Sequence, residues 1–377
     1  MPSRESIIPT MVPVSRRSFL AAGAAVLVTP RGLFARSDEL VWTDVVDWTI
    51  EGRAFGERAA PYDRLPARAE GVVRKAVWDL SRDSAGMVVR LQTASPELHV
   101  RYRLTKSQID MGHMPATGVS GVDLYGQDGS RWRWIQVSRP AKQDVQAKLF
   151  GDATKVGEPR QFLLYLPLYN GIEKLEIGVA AGHKIEPLAP RPAAHKPIVA
   201  YGTSILHGAC ASRPGMAWSA IVGRALDREV INLGFSGNGR MEKEVGQFLV
   251  ELDPAVYLID CLPNMSAAQV TERTAPLVRQ LREKRANTPI LLVEDRTFGN
   301  AWFDAKRAAD HQERRQALRD AFAALQKEGV AGLHLLRGEA LLGDDDEGTT
   351  DGSHPNDLGM FRQAQQVIAA LRPILGA

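Results

Sequence analysis

At 377 residues, with 44% hydrophobic and 24% charged residues, the chain has the length of two ordinary domains and the composition of a soluble globular protein, which excludes a disordered or fibrous chain. Its formal net charge is +3, and residues 1–35 carry four arginines against one glutamate, so the remainder is neutral. Neutrality gives no support to nucleic-acid binding, which rests on clustered Lys and Arg, and beyond the N-terminus no apolar run approaches the roughly 20 residues that span a bilayer.

The first element is SRRSFLAAGAAVLV, residues 15–28, where Arg16 and Arg17 stand directly before a short apolar stretch. It is similar to a twin-arginine export signal, with Phe19 and Leu20 completing the pattern and Leu20 to Val28 as its apolar region. That similarity implies a periplasmic or secreted protein, cleaved near Ala35, with Met11 a candidate start beside Met1. The apolar region is too short for a membrane-anchoring helix.

From residue 38 to 190 the pattern is mostly of period two, in LHVRYRL (98–104), GVDLYGQDGSRWRWIQV (121–137), QFLLYLPLY (161–169) and KLEIGV (174–179). Short strands separated by turn signals predict a β-sandwich of the jelly-roll kind, with Asp128-Gly129 as a hairpin turn. In RWRW (131–134) the alternation predicts an amphipathic strand with its tryptophans in the core, a sugar-stacking surface being the other reading. The loop QIDMGHMPATG (108–118) is a candidate for reaching across to a site elsewhere.

Residues 191–196 lie in a proline-rich stretch without apolar periodicity and read as a linker. From 197 to 377 strand and helix signals alternate. The strands are expected at PIVAYG (197–202), EVINLGF (229–235), VYLIDCL (256–262), PILLVED (289–295) and LHLLRG (333–338). Helices are clearest at 241–252, 266–285, 310–329 and 358–372. Short, wholly apolar strands joined by helices predict a five-stranded parallel sheet covered on both faces, a three-layer α/β/α arrangement.

Ligands of an open parallel sheet bind beyond the carboxyl ends of its strands. There the sequence places Ser204 in GTSILHG, Gly237 in SGNG, Asn264 in LPNM and, before the last helix, Asp351 and His354 in DGSHPND. A serine hydroxyl needs a base to take its proton and a third group to orient that base. Asp351 and His354, three residues apart on one loop, can supply both, and Pro355 disfavours helical backbone at His354 while itself suiting a first helical turn. Ser204 is thus a candidate nucleophile, or else a helix cap. Asn264 and the Gly237 amide are candidate donors to an oxyanion, or else turn residues.

Competing readings are weaker. Ser236 in GFSGN comes near a nucleophile elbow but has Asn238 in place of its second glycine, and GFSGNG has the wrong order and place for a dinucleotide loop. His207 lacks a carboxylate upstream to orient it and reads as a pocket wall. Scattered histidines without H-E-x-x-H or C-x-x-C predict no metal site, and the acidic run 344–347 reads as a solvated loop. The two cysteines, Cys210 and Cys261, leave their pairing open.

Taken in order, Ser204, Gly237, Asn264 and the Asp351/His354 block make the segment 197–377 resemble the SGNH/GDSL hydrolases, although Thr203 stands where that family often has Asp and Pro263 precedes the Asn. GVDLYGQDG (121–129) resembles the G-x-D-L-Y signature of an N-terminal domain fused to such enzymes. The resemblance implies a serine esterase with Ser204, His354 and Asp351 as triad and Ser204, Gly237 and Asn264 as oxyanion hole, working without a cofactor. It implies O-acetyl groups of a polysaccharide as substrate, with a lipase or thioesterase, or an inactive carbohydrate-binding protein, as alternatives.

Overall fold

The computed structural model describes residues 39–151 and 158–376; the twin-arginine segment lies outside them. The described residues belong to one compact unit. Its first half contains β1 (Leu40–Asp44), β2 (Ile50–Glu51), α1 (Lys75–Ser81), β3 (Val88–Thr93), β4 (Leu98–Leu104), α2 (Ala116–Val119), β5 (Asp123–Asp128), β6 (Arg131–Val137), β7 (Asp144–Phe150), β8 (Arg160–Tyr165), β9 (Ile172–Ala180) and β10 (Ile185–Pro187). These strands form two antiparallel sheets, ordered β1-β9-β4-β7 and β10-β3-β8-β5-β6, with β2 on β3. Alternate residues such as Val100, Ile177, Val89, Leu124 and Leu164 meet between the sheets in one core, which makes the pair a sandwich.

Two local expectations change here. Asp128 pairs with Arg131, so the hairpin turn is Gly129-Ser130, one residue later than expected, with Gly129 at φ +58. A register shift between Leu124 and Tyr125 displaces the facing strand, and Trp134 is exposed rather than in the core. Its indole donates to Asp123 and lies under the Arg213 guanidinium.

The second half runs β11 (Ile198–Gly202), α3 (Ser204–His207), α4 (Trp218–Ala225), β12 (Val230–Gly234), α5 (Lys243–Leu249), β13 (Val256–Asp260), α6 (Ala267–Lys284), β14 (Ile290–Val293), α7 (Ala305–Lys327), β15 (Leu333–Leu336) and α8 (Asp357–Leu375). Its five strands are parallel, in the order β12-β11-β13-β14-β15. Strand β11 is buried throughout, and its residues divide by the pleat: Val199 and Tyr201 face α5 and α6, Ala200 faces α4 and α8.

Residues of the first half complete both cores. Phe55, Leu65, Val77 and Trp78 pack with Phe235 and Phe248 on one face, while Met114, Leu168 and Tyr169 pack with Leu206, Trp218 and Met360 on the other. Arg64 is wholly buried and donates to the carbonyls of Leu80 and Asp83 on one side and Asn232 and Gly234 on the other. A buried cation is tolerated only with such partners. The G-x-D-L-Y signature has a similar use: Asp123 accepts from the Arg213 side chain and the Gly215 amide, and Tyr125 accepts from Arg213.

Candidate active site

Strand β11 lies between β12 and β13, so the three loops carrying Ser204, Gly237 and Asn264 leave one edge side by side. Ser204 is the first residue of α3, and the cap is its neighbour: the Thr203 hydroxyl accepts from the Ile205 amide. The cap reading of Ser204 is therefore replaced by one in which Thr203 starts the helix and leaves the next hydroxyl to point elsewhere. It points at His354, with Ser204 Oγ 2.9 Å from His354 Nε2.

The opposite ring nitrogen, His354 Nδ1, lies 2.7 Å from Asp351 Oδ2. The other carboxylate oxygen accepts from the amides of Ser353 and His354 at 2.9 and 2.8 Å. Burial raises the Asp351 pKa, but these amides and the imidazole outweigh it and bring the group down to about 2. An ionised Asp351 fixes the tautomer that donates from Nδ1 and accepts at Nε2. Pro355 stands one residue before the helix cap Asn356 and so lies outside the first helical turn where it was expected. The Thr350 amide instead bonds the His354 carbonyl, holding the loop as a narrow turn.

Gly237 has φ +69, a conformation that favours glycine. The Asn264 side chain is oriented: its Oδ1 accepts from the Gly239 amide at 3.2 Å, which leaves the amide NH2 as the free donor end. Gly239 permits this approach, since a Cβ there would collide with the Gly202 carbonyl. From the first half, Arg74 pins the same loop through the Asn238 side chain and Glu242.

Two contributors from the first half, Arg74 and Tyr169, were missed by sequence reasoning. Tyr169 donates its hydroxyl to the Ser204 carbonyl at 3.2 Å. His207 is a correction: it is wholly buried, stacked 4.2 Å from the Tyr169 ring, with Asp83 Oδ2 at 3.6 Å, so it is no pocket wall and it does face a carboxylate. Burial, with Arg64 and Lys106 close by, holds the imidazole well below its ordinary pKa, hence neutral. The loop 108–118 does reach the site, as its His113 ring lies 5.9 Å from the His354 ring.

Cys210 and Cys261 are both free and buried. Among the described residues no cluster of His, Cys, Asp and Glu could hold a metal ion, no helix is long and apolar enough to cross a membrane, and Asp345 of the acidic run is paired with Arg362.

A hydroxyl, an imidazole and a carboxylate in line at the open edge of a parallel sheet define a site suited to acyl transfer. The GDSL-like lipase/acylhydrolase family matches residues 195–372, and the family describing the N-terminus of SGNH-hydrolase-type esterases matches 40–185. A protein of Bacteroides ovatus ATCC 8483 described as a GDSL-like lipase is 32% identical, over 90% of this chain and 98% of that one, with a TM-score of 0.85. The salicylyl-acyltransferase SsfX3 of a tetracycline biosynthetic pathway shares the fold at 20% identity, over 89% of this chain and 97% of its own, with a TM-score of 0.66. So does the acetyl xylan esterase Est2A of Butyrivibrio proteoclasticus, at 12% identity, 89% and 99% coverage and a TM-score of 0.56. Among curated proteins no sequence match is found. The chain belongs to the GDSL-like lipase/acylhydrolase family and is a carboxylic ester hydrolase.

Proposed function

We propose that this protein is an exported esterase that removes O-acetyl groups from a polysaccharide, and that Ser204, His354 and Asp351 are its triad. The observation that carries the triad is the unbroken relay from Asp351 through His354 to the Ser204 hydroxyl, at 2.7 and 2.9 Å. Ser204 Oγ attacks the ester carbonyl carbon as its proton passes to His354 Nε2. The carbonyl oxygen becomes an oxyanion facing the Ser204 and Gly237 amides and the Asn264 side chain. As the carbon–oxygen bond to the sugar breaks, His354 returns the proton to the departing alcohol. Water, deprotonated by the same nitrogen, then attacks the acyl-serine, and acetate leaves with Ser204 restored.

Support for an acetylated glycan comes from the fold shared with carbohydrate esterases, and support for export from Arg16 and Arg17 ahead of their apolar stretch. The second reading, hydrolysis of longer acyl chains, is favoured by the lipase description of the 32% identical relative. A series of 4-nitrophenyl esters from acetate to octanoate separates them. We expect kcat/KM to fall steeply beyond acetate; a rise toward octanoate overturns the acetyl reading.

A further inference from the structure

Beyond β14, the turn 298–304 carries two aromatic rings that no part of the mechanism uses. Trp302 and Phe303 are 78% and 81% exposed, while the other exposed large apolar residues among those described reach at most 48%. Their rings meet edge to face, 5.5 Å apart and 64° inclined, as an angled step. Burying either ring inside the protein would have been favourable, and adjoining exposed aromatics mark a binding surface.

The turn that carries the step is tied to the loop of Asp351 and His354. Gly299 donates to the Gly352 carbonyl at 3.0 Å, and the Asn300 side chain packs against Gly352, the residue next to Asp351. Behind the rings, Phe298 lies under the Arg307 guanidinium and against His311, Arg307 bonds Asn300, and Asp304 caps α7. From Gly299, Trp302 and Phe303 are at most about 11 and 14 Å along an extended chain. The rings therefore stand on a turn tied to the loop that carries Asp351 and His354, within a range suited to sugar units flanking an esterified one.

The chemistry of the turn selects the occupant. Two flat rings suit the apolar C–H face of a pyranose, and Asn300 and Asp304 on the turn, with Arg307 in the first turn of α7, offer donors and acceptors for ring hydroxyls. A lipid surface would have to take the Asp304 carboxylate out of water, at considerable cost. We propose that Trp302 and Phe303 form a sugar-stacking subsite for glycan units adjacent to the ester, a subsite that selects the substrate by its chain rather than by its acyl group. This rests on the reading of the substrate as a polysaccharide.

The test compares acetylated xylo-oligosaccharide with 4-nitrophenyl acetate. In a Trp302→Ala/Phe303→Ala variant the ratio of their kcat/KM values is expected to fall about tenfold, through KM for the oligosaccharide, whereas Trp302→Phe, which keeps a ring, costs less than threefold. An unchanged ratio in the double variant overturns the subsite and leaves the deacetylase reading standing. If the wild type deacetylates no oligosaccharide, that reading falls, and calorimetric binding of unesterified xylo- and cello-oligosaccharides to Ser204→Ala decides the subsite. Weaker binding on adding the two ring substitutions sustains it; equal binding, or none at the outset, overturns it. Adsorption of the wild type to phosphatidylcholine vesicles that the double variant loses also overturns it, in favour of a lipid surface.

Discussion

Asp351 accepts three hydrogen bonds, two of them from backbone amides, and remains ionised down to about pH 2. Its contribution to stability is present above its ordinary value of 3.8 and is lost only as pH falls from there toward about 2. Activity lost between pH 7 and 5 therefore comes from another group. Asp351→Asn is expected to lower kcat by about 10³ to 10⁴, by releasing the imidazole tautomer; a kinetic scan at pH 7 that finds a loss under tenfold removes Asp351 from the triad. Asn264→Ala is expected to cost about 10² to 10³ in kcat with KM little changed, the usual loss of one oxyanion donor, and unaltered kcat would exclude its amide from the oxyanion site. These residues are legible in sequence because each follows a recognisable apolar strand or shares a short loop, as Asp351 does with His354. Tyr169 and Arg64 are not, because the Ser204 carbonyl lies 35 residues from Tyr169 and the Asn232 and Gly234 carbonyls 168 and 170 residues from Arg64, and no local pattern encodes the meeting.

Among elements, α3 is the least independent. It has four residues, too few to be stable alone, and is held by the Tyr169 hydroxyl on its first carbonyl and by the Tyr169 ring on His207. Tyr169→Phe keeps the ring and leaves the buried Ser204 carbonyl without this donor. The expected result is a fall of about tenfold in kcat with KM within threefold, together with a lower Tm; a lower Tm with unchanged kcat would make Tyr169 structural only. Strand positions of the parallel sheet were legible to within two residues because each of its strands is an almost continuous apolar run. Helices were less so. α7 begins at Ala305 rather than near 310, since its first turns expose lysine and arginine and carry no apolar stripe, and α1 and α4 are too short to display a period.

At the scale of the molecule, the buried cluster of Arg64, Asp83 and His207, with the half-exposed Lys106 reaching Asp83 from its rim, joins the sandwich to the parallel sheet. A buried neutral histidine must be charged when the chain unfolds in acid, so His207 favours the unfolded state increasingly as pH drops below 6.5, its ordinary pKa. Burial raises the Asp83 and Asp123 carboxyls, which act in the opposite sense at lower pH, so the effect is best read as a difference. Between pH 7.5 and 5.5 the wild type is expected to lose more Tm than His207→Phe does. Equal losses would mean that His207 titrates in the fold as it does in the unfolded chain, and a smaller loss for the wild type that it is held protonated there.

The shared cores bear on the order in which the protein comes into being. Synthesis delivers Phe55, Leu65, Val77 and Trp78 long before β11 and β12, against which they pack. The sandwich can close on its own core of Val100, Leu124 and Ile177, but the stretch from Phe55 to Trp78 must wait with its apolar face uncovered. His354 follows β15 in the chain, so it reaches Ser204 only after every strand of the parallel sheet has been made. The nascent chain therefore carries no relay from Asp351 through His354 to Ser204 until β15 and the loop after it have been made.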